Sequence, residues 1–499
     1  MSSVSSYSSR LLYSRLSYLL LAFVFLAAGV ISGCGGSGAS GGGTGSTLTG
    51  NTAVTVLATS TANDQLSGFN VELTGVALTT KSGTTANLLT TSTYPEFIHL
   101  NGTAEPLITT SIPQDVYTSA TVTVGSAEFE CINLDSTGEL WSSTFDDGGV
   151  APSKVTVTLP APITVTGTSM GLSLDLLVSQ SATFSNCEGG TGTTFSISPT
   201  FNVTPVAIAA QPTNSANGKE TGVYGMIGSV SGSGMSFTVS RADGIDTASP
   251  VLQVSSNGST LFQGVSAASQ LVAGMTADMD LAIQADGSLL ATRVAVYDTD
   301  TSYLNTFNGP ADLIEASLPQ FAMVGQEQQG YLNQSAYYIG GFVVNSGSAV
   351  FQTSGTLANL QSLPFAPSFT AANMVDGQNV SITSHVSSWE GNPLPVATIT
   401  LMPQTIDGTV SAVSSEGNFT TYTVTLAGYD LFPDLAEQKG QTTLLTNPRT
   451  VVIYADSNTQ MLNTAPVAVG SLLRFHGLVF NDNGTLRMDC AQVNNGVTE

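Results

Sequence analysis

The side chains that could carry out acid–base or nucleophilic chemistry in this chain are few and scattered. Its three histidines, His99, His385 and His476, lie far apart, inside the strand-like segments FIHLNG, ITSHVSS and LRFHGLV. A hydrolase needs a nucleophile with a base, or a pair of carboxyl groups, within hydrogen-bonding reach. No H-E-x-x-H or Walker sequence is present, and no G-x-S-x-G sequence stands between a strand and a helix, where a nucleophile elbow needs it. We therefore expect structural histidines, and we predict no catalytic residue and no cofactor.

Carboxylates are numerous enough that a functional pair could form on folding. The closest local groups are Asp146 with Asp147, and Asp298 with Asp300 in YDTDTSY. Paired carboxyl groups suit glycoside hydrolysis, and oxygen ligands at alternate positions suit calcium. Neither segment forms a complete calcium-binding loop, so solvated loop acids are the simpler interpretation and we predict no metal centre. Asp298 and Asp300 are nevertheless the candidates for calcium, because they lie where one predicted domain ends and a cation could stiffen the linker.

Trp141 and Trp389 are the candidates for ligand binding. Both occur in turn-rich sequence, ELWSS and SSWEG, rather than in apolar runs. A sugar ring can stack its C–H face on such a side chain while polar groups bind its hydroxyls. An exposed tryptophan in either turn would therefore indicate polysaccharide binding.

The most specific signal is Cys34, at the end of an apolar N-terminal segment. Arg10 and Arg15 precede an apolar run from Leu16 to Ile31, and small residues follow that run. This order is typical of a secretory signal peptide. The run is also short for a transmembrane helix, which needs roughly 20 apolar residues. A permanent N-terminal anchor helix is therefore the less favoured alternative.

Ile31, Ser32, Gly33 and Cys34 together resemble the lipobox of bacterial lipoproteins. The resemblance implies cleavage before Cys34 and attachment there of a diacylglycerol and usually a further fatty acid, such as palmitate. Two or more acyl chains anchor a protein stably to a membrane. Because Gly35 follows where an aspartate would favour the inner membrane, the resemblance indicates a cell-envelope protein at the outer membrane, on its periplasmic or surface face.

The remaining cysteines are Cys131, Cys187 and Cys490, an odd number for an oxidising compartment. With Cys34 assigned to lipid, Cys131 and Cys187 are the candidate disulfide, because both fall in one predicted domain. Such a bond would stabilise that domain by roughly 3 to 4 kcal/mol. Cys490 is then expected to be a lone, buried thiol.

The chain is acidic but sparsely charged. It has 35 acidic against 11 basic residues, and charged residues make up only 9% of it. Nucleic-acid binding needs clustered Lys and Arg, so nucleic acid is excluded as a partner, and net charge serves solubility. Thr, Val, Ser and Gly dominate while helix-forming Glu and Lys are scarce, which favours strands and turns.

A Gly/Ser-rich segment at residues 34–50 predicts a flexible tether. Beyond it, short alternating segments between turn residues predict a β-sandwich. The clearest predicted strands are 69–78, 117–125, 153–159 and 170–179.

EFIHLNG at 96–102, SIPQDVY at 111–117 and FSISPTFNV at 195–203, with the L-x-L-D of Leu172, Leu174 and Asp175, carry a resemblance to a known domain. They resemble an uncharacterised transthyretin-like β-sandwich domain at the head of bacterial lipoproteins. That family brings no catalytic residue to this chain.

A second pattern begins after the linker-like residues 211–219 and repeats. Residues 270–296 and 465–493 each combine a glycine, an alternating strand, an Asp-Gly or Asn-Gly turn and a second strand, so one hairpin occurs twice. Residues 375–401 give a weaker third copy. The unit of five or six strands resembles small OB-like barrel repeats of unknown function in bacterial secreted proteins. Its irregular spacing predicts separate barrels on a string, and residues 311–318 (ADLIEASL) predict one short helix.

The predicted fold class is therefore all-β, a sandwich followed by two or three small OB-like barrels. The predicted divisions are a signal peptide at 1–33, the tether at 34–50, the sandwich at 51–210, and barrels at 220–298, 320–402 and 403–496.

Two functions fit these expectations. The first is a non-catalytic display or binding module, held to the membrane by its lipid, with a polysaccharide or envelope protein as partner. The alternative is an envelope glycan hydrolase, which predicts a cleft with two facing carboxylates about 5 to 9.5 Å apart.

Overall fold

The protein is described from a computed structural model. Its regular secondary structure consists mainly of β-strands, which confirms the all-β prediction. The residues that the structure describes are 48–60, 66, 68–98, 105–134, 140–148, 153–185, 193–205, 220–233, 235–241, 251–284, 288–300, 302–315, 318–329, 339–354, 360–389, 393–427, 431–437, 445–462 and 466–494. None of the helices among them is long and apolar enough to cross a membrane.

The first part of the chain forms a β-sandwich. Its elements are β1 (Asn51–Ser60), β2 (Gly68–Thr80), β3 (Thr85–Leu89), β4 (Glu105–Pro113), β5 (Asp115–Leu134), β6 (Leu140–Asp146), β7 (Ser153–Val165), β8 (Ser169–Leu176), the single-turn helix α1 (Val178–Ser181), β9 (Ala182–Phe184), β10 (Phe195–Ile197) and β11 (Phe201–Pro205). One sheet has the order β11-β8-β1-β4, the other has β3-β2-β5-β6 with β7 also on β5, and β9 pairs with β10. Alternate residues of both sheets face one shared core, such as Val56 and Leu172 opposite Phe69 and Val122.

The sandwich contains the four strands that alternation predicted, as parts of β2, β5, β7 and β8. Only the strand predicted at 170–179 ends at a different residue in the structure. β8 stops at Leu176, and residues 178–181 turn into α1, whose Ser181 hydroxyl donates to the Leu177 carbonyl at 2.8 Å.

The rest of the chain forms three small barrels. Barrel 1 consists of β12 (Glu220–Val230), β13 (Ser236–Arg241), β14 (Val251–Ser255), β15 (Leu261–Gln263), β16 (Thr276–Ile283) and β17 (Leu289–Asp298). Barrel 2 consists of β18 (Asn305–Glu315), β19 (Gln320–Gln329), β20 (Ile339–Asn345), β21 (Val350–Thr353), β22 (Asn379–Ser384), β23 (Leu394–Pro395) and β24 (Thr398–Leu401). Barrel 3 consists of β25 (Gln404–Glu416), β26 (Phe419–Leu426), the helix α2 (Leu431–Ala436), β27 (Thr450–Ala455), β28 (Gln460–Leu462), β29 (Leu472–Asp482) and β30 (Thr485–Asn494). Single 3₁₀ turns occur at Ala268–Gln270 and Leu360–Ser362.

All three barrels have one topology. In barrel 1 the sheet order is β14-β13-β12-β16-β17-β15, and parallel pairing of β14 with β17 closes the ring. Barrel 3 repeats this with β27-β26-β25-β29-β30-β28 and parallel closure of β27 on β30. In barrel 2 the last long strand is broken into β23 and β24, which close on β20 and β21 respectively. A three-strand meander closed in parallel onto the last strand is the arrangement of an OB-like barrel.

The repeated hairpin of the sequence is present in each barrel, and its glycine has a defined role. Gly274, Gly377 and Gly470 have φ values of 94°, 88° and 90°, a region that favours glycine. Each donates its N–H to the carbonyl of a residue on the first strand of its barrel at 2.8 Å: Gly274 to Ile227, Gly377 to Ala311 and Gly470 to Val410. The glycine therefore turns the chain onto the first strand at the same point of every barrel.

The short helix predicted at residues 311–318 is wrong, because β18 runs through Glu315 as the first strand of barrel 2. Its pairing with β19 shifts register between Asp312 and Glu315, and Leu313 has a φ of 47°. This irregularity turns both Ala311 and Ile314 toward the barrel core, so an i, i+3 apolar spacing arises from a strand.

The barrels also do not lie on a string, since neighbouring parts of the fold share apolar clusters. Leu57 of the sandwich belongs to the core of barrel 1, and a register shift between Val56 and Leu57 re-aims it there. Leu478 and Phe480 of barrel 3 belong to the core cluster of barrel 2. Barrels 1 and 2 share a small cluster of Ala295, Tyr297 and Met402.

Candidate functional site

Three of the residues that the sequence analysis singled out meet at the joint between barrels 1 and 2. Asp298 ends β17, Asp300 lies in the following linker, and His385 follows β22. The His385 Nε2 lies 3.0 Å from Asp298 Oδ2, and its Nδ1 lies 2.7 Å from the Ser302 carbonyl oxygen. The imidazole ring therefore bridges the linker and barrel 2.

The linker itself is folded into two consecutive turns. The Asp300 N–H donates to Asp298 Oδ1 at 2.9 Å, and the Ser302 N–H donates to Asp300 Oδ1 at 3.0 Å. Hydrogen bonds from both the backbone and the side chain of Ser302 hold the pKa of Asp300 below its ordinary value. Asn305 then ties the linker to barrel 2, since its amide donates to the Ser384 and Val386 carbonyls at 3.3 and 3.1 Å.

The electrostatics of the joint favour a charged His385. Burial lowers the pKa of the imidazole, but the hydrogen bonds to Asp298 and Ser302 and the charges of Asp298 and Asp300 outweigh it. The pKa of His385 therefore lies above the ordinary value of 6.5. Asp298 Oδ2 also accepts a hydrogen bond from the Thr383 hydroxyl at 3.2 Å.

A second polar contact between the same barrels is centred on the buried Asp278. Arg293 on β17 binds Asp280 through Nε and Nη2 at 2.7 and 2.9 Å, and binds Asp278 Oδ2 at 2.8 Å. Burial alone lowers the pKa of Arg293, but the two carboxylates raise it above its ordinary value, so the guanidinium stays charged. From barrel 2, the Ser354 hydroxyl donates to Asp278 Oδ2 at 3.1 Å.

Barrels 2 and 3 are joined by a segment that we call the strap, residues 360–369 of barrel 2. Leu363 of the strap packs with Phe419 and Tyr454 of barrel 3 in one buried cluster. The Phe365 ring lies 5.1 Å from the Tyr454 ring, centroid to centroid. The strap thus contributes apolar and aromatic side chains to the outer side of barrel 3.

Arg487 of barrel 3 completes this joint. Its guanidinium carbon lies 5.4 Å from the centroid of the Phe365 ring and 5.7 Å from that of Tyr454, which is cation–π geometry. Its Nε also pairs with Asp482 Oδ2 at 2.8 Å. Beside the strap, the Gln378 amide donates to the Val479 carbonyl at 2.8 Å, so this joint contains buried hydrogen bonds as well.

The second and third strands of an OB-like barrel form its usual ligand face, and the strap covers that face in barrel 3. Tyr454 points away from the core of its own barrel and yet is only 1% exposed, and Thr421 beside it is 5% exposed. In barrel 1 the corresponding face of β13 and β14 is open and uncharged, with Val251 and Gln253 exposed. Its outward residues are Ser236, Thr238, Ser240, Val251, Gln253 and Ser255.

Two carboxyl clusters bear on the hydrolase alternative. Asp376 in barrel 2 is 1% exposed; burial and the nearby Asp312 raise the pKa of its carboxyl to about 7, although it accepts a hydrogen bond from the Ile314 N–H. A glycosidic bond could not reach a carboxyl group buried to this degree. On the sandwich, burial and the charges of Asp146 and Asp147 raise the pKa of the partly buried Glu128, which is paired in register with Asp146.

The structure describes two of the four cysteines, Cys131 and Cys490. Cys131 is disulfide-bonded, while Cys490 is a free, buried thiol, and burial raises its pKa far above the ordinary range. Cys187, His99 and the lipobox residues Ile31, Ser32, Gly33 and Cys34 lie outside the described residues. The pairing of Cys131 with Cys187 and the lipidation of Cys34 therefore stay predictions.

The other aromatic and histidine candidates are Trp389, Trp141 and His476. Trp389 is partly buried and packs edge-on against Phe342, with ring centroids 5.3 Å apart. Trp141 lies in β6, and its side chain is outside the described part of the structure. His476 is partly buried on β29, with Nδ1 2.9 Å from the Thr405 hydroxyl, which agrees with a structural role.

Among the described residues, no group of three or more His, Cys, Asp or Glu side chains is arranged to hold a metal ion. The oxygens of Asp298 and Asp300 instead accept hydrogen bonds from the chain itself. Calcium at this position stays a prediction, and we assign no metal to these two residues.

The chain matches no known protein-family model, no curated protein and no solved structure. The sequence pattern indicates Asp298 and Asp300 at a domain boundary, but not their contact with His385, the Arg293 cluster or the strap. Alternating polar residues in otherwise apolar strands, such as Asp278 and Asp280 in TADMDLAI, were the available signal, since they mark the outward face of a strand that another domain covers.

Proposed function

We propose that this protein is a lipid-anchored, non-catalytic binding or display module of the cell envelope, with a polysaccharide or an envelope protein as its partner. One observation carries the proposal. His385 and Asp298, which could do chemistry, are engaged in a contact between barrels 1 and 2, and Asp278, which binds Arg293 within barrel 1, accepts a hydrogen bond from Ser354 of barrel 2. Such contacts fix the relative positions of the barrels, as a binding platform requires.

The face that supports binding best is the outer side of β13 and β14 in barrel 1. It carries hydroxyl and amide groups at the position where OB-like barrels bind oligosaccharides. A neutral face in a chain of net charge −24 favours an uncharged, hydroxyl-rich ligand over an anionic one. The corresponding face of barrel 3 is covered by the strap and offers no such surface.

The membrane part of the proposal rests on the lipobox-like residues and has its own test. Palmitate-analogue labelling of the expressed full chain should give a labelled, membrane-associated protein, and Cys34→Ser should abolish both. Cys490→Ser is the matched control, because that thiol is buried in barrel 3. Equal labelling of the Cys34→Ser variant would contradict lipid attachment at Cys34.

The binding part is tested with the mature full chain on a glycan array and in an envelope pull-down. Gln253→Arg, on the open face of barrel 1, should weaken binding at least about tenfold. Thr425→Arg, an exposed strand position of barrel 3, is the control that should leave binding unchanged. The absence of any ligand in both assays, or equal loss in both variants, would overturn the proposal.

Glu128 with Asp146 and Asp147 favours a second candidate, an envelope glycan hydrolase. A raised pKa in a carboxyl group beside two other carboxylates is the arrangement that a general acid needs. Turnover of envelope polysaccharide that Glu128→Gln abolishes, with the fold intact by circular dichroism, would establish this function. Turnover unchanged by Glu128→Gln, or absent in the wild type, would exclude this site.

A further inference from the structure

The contacts at the joint between barrels 1 and 2 require a particular protonation state of His385. Both ring nitrogens face oxygen atoms that can only accept, the Ser302 carbonyl at 2.7 Å and the Asp298 carboxylate at 3.0 Å. A neutral imidazole has one donor and one acceptor nitrogen, whereas the imidazolium has two donors. Only the protonated ring can therefore make both hydrogen bonds.

We propose that His385 is a proton-operated latch, which fixes barrel 1 against barrel 2 when its ring is protonated and releases one of its two contacts when the proton leaves. The released contact faces either the Ser302 carbonyl or the Asp298 carboxylate, because a neutral ring can still donate to one of them. The latch thus couples the stiffness of this joint to the pH around the protein.

The surroundings of the ring favour its protonated state. Asp298 from β17 and Asp300 from the linker are the charged groups that act on the ring, and Thr383 shares the Asp298 carboxylate. The raised pKa of His385 keeps the latch closed at pH values where an ordinary histidine would already be neutral. Opening is therefore expected at a higher pH than the deprotonation of an ordinary histidine.

The linker between the barrels would transmit this change. Asp298 precedes the linker and Ser302 lies within it, and the hydrogen bonds from the Asp300 N–H to Asp298 and from the Ser302 N–H to Asp300 hold the Ser302 carbonyl near the ring. The protonated ring of His385, a residue of barrel 2, thus stiffens this linker. The buried hydrogen bond from Ser354 of barrel 2 to Asp278, a residue that also binds Arg293 within barrel 1, keeps the barrels together when the latch opens. Release therefore loosens the joint without separating its parts.

Histidine-selective NMR of the full chain tests the latch directly, because the chain has only three histidines. His385, assigned by its disappearance in His385→Gln, should titrate above pH 6.5, and Asp298→Asn should lower that value. His476, which bonds Thr405, is the internal control and should not respond to Asp298→Asn. A His385 that titrates at or below 6.5, or that ignores Asp298→Asn, would overturn the proposal.

Hydrogen exchange supplies the second readout. Amides of residues 302–305 and 383–386 should exchange about fivefold faster above the His385 pKa than below it, after correction for intrinsic rates, as expected for one lost hydrogen bond. In His385→Gln the exchange should be fast at both pH values. The NMR titration repeated with added calcium chloride and with a chelator should be unchanged, and a calcium-dependent shift would assign the joint to a metal instead.

Discussion

Arg293 is 3% exposed although it points away from the core of its own barrel. This position explains why its charge is paired with carboxylates. Barrel 2 covers it, so its charge is matched by Asp280 and Asp278 rather than by water. A buried charge is tolerated only when it is paired and hydrogen-bonded. The type of each residue is read from the sequence, but whether it is solvated depends on which barrel lies against it.

Asp376 gives a pH-dependent prediction at the residue scale. Its carboxyl group has a raised pKa of about 7 in the fold against about 3.9 in an unfolded chain. Between these values the folded state holds a proton that the unfolded state has lost, so stability falls as the pH rises through this window. Asp376→Asn cannot ionise, and its amide oxygen can still accept the Ile314 N–H.

We therefore expect Asp376→Asn to stabilise the protein by on the order of 4 kcal/mol at pH 8 and by little at pH 4. Urea unfolding of the wild type and the variant at both pH values measures the difference. The same difference at pH 4 and pH 8 would show that the carboxyl group is not neutral in the fold.

At the scale of elements, glycines decide how tightly each barrel closes. Gly408 in β25 lies between β26 and β29, and a Cβ added there would come within 2.5 Å of the Thr425 carbonyl oxygen. Gly225 holds the corresponding position in barrel 1, where the distance to the Ser240 oxygen would be 2.6 Å. The first strand of each of these barrels therefore bends where a side chain would collide with backbone.

Gly408→Ala should consequently destabilise barrel 3 by about 2 to 3 kcal/mol, since backbone rather than a flexible side chain must move. Gly341→Ala in β20 is the control, because its added Cβ meets nothing within 4 Å and the change should stay within about 0.5 kcal/mol. Chemical denaturation measures both. Equal effects of the two substitutions would contradict the close approach at Gly408.

The bulge in β1 gives a second prediction for an element. It directs Leu57, which is 1% exposed, out of the sandwich core and into that of barrel 1. Leu57→Ala should destabilise the protein by about 3 kcal/mol, the usual cost of emptying a buried leucine site. Val116→Ala, at a position 40% exposed on β5, is the control and should be nearly neutral in the same thermal or urea measurement.

If Leu57→Ala were as mild as Val116→Ala, Leu57 would not join the sandwich to barrel 1. Such linking side chains also show what local sequence cannot reveal. The segment around Leu57 reads as an ordinary sandwich strand, and only the register shift against β4 identifies the residue that leaves it.

At the scale of the whole molecule, the barrels are joined through shared clusters and buried charge. Arg293→Met would leave the buried Asp278 and the partly buried Asp280 without their cation, and removing one partner of a buried pair typically costs about 3 to 5 kcal/mol. We expect calorimetry to show barrel 1 unfolding at lower temperature than the rest of the chain in this variant. Replacing both aspartates by asparagine in the same chain should recover most of the loss.

A calorimetric profile unchanged by Arg293→Met would mean that the ion pair does not stabilise barrel 1. The matched comparison is Arg449→Met, which removes an arginine that pairs with Asp434 and Glu437 at a more exposed position. Pairs at exposed positions contribute little, roughly 0 to 1 kcal/mol, so this variant should unfold almost like the wild type.

The sequence by itself determined the all-β class, the main strands of the sandwich and the repeated hairpin, because side-chain alternation and turn glycines are local properties. Asn483 and Gly484 illustrate this, with φ values of 52° and 91° in the turn that their types predict. The same local reasoning failed at residues 311–318, where pairing with two neighbouring strands overrode an apparent helical spacing.

Only the tertiary structure decided which residues form the joints. His385 and Asp298 are 87 residues apart in the chain, and Asp278 and Ser354 are 76 apart. The contacts depend on how one closed barrel is placed against the next, which no local pattern encodes. The lipobox-like residues predict attachment to the envelope from a short local motif, whereas the latch and the strap follow from the packing of whole barrels.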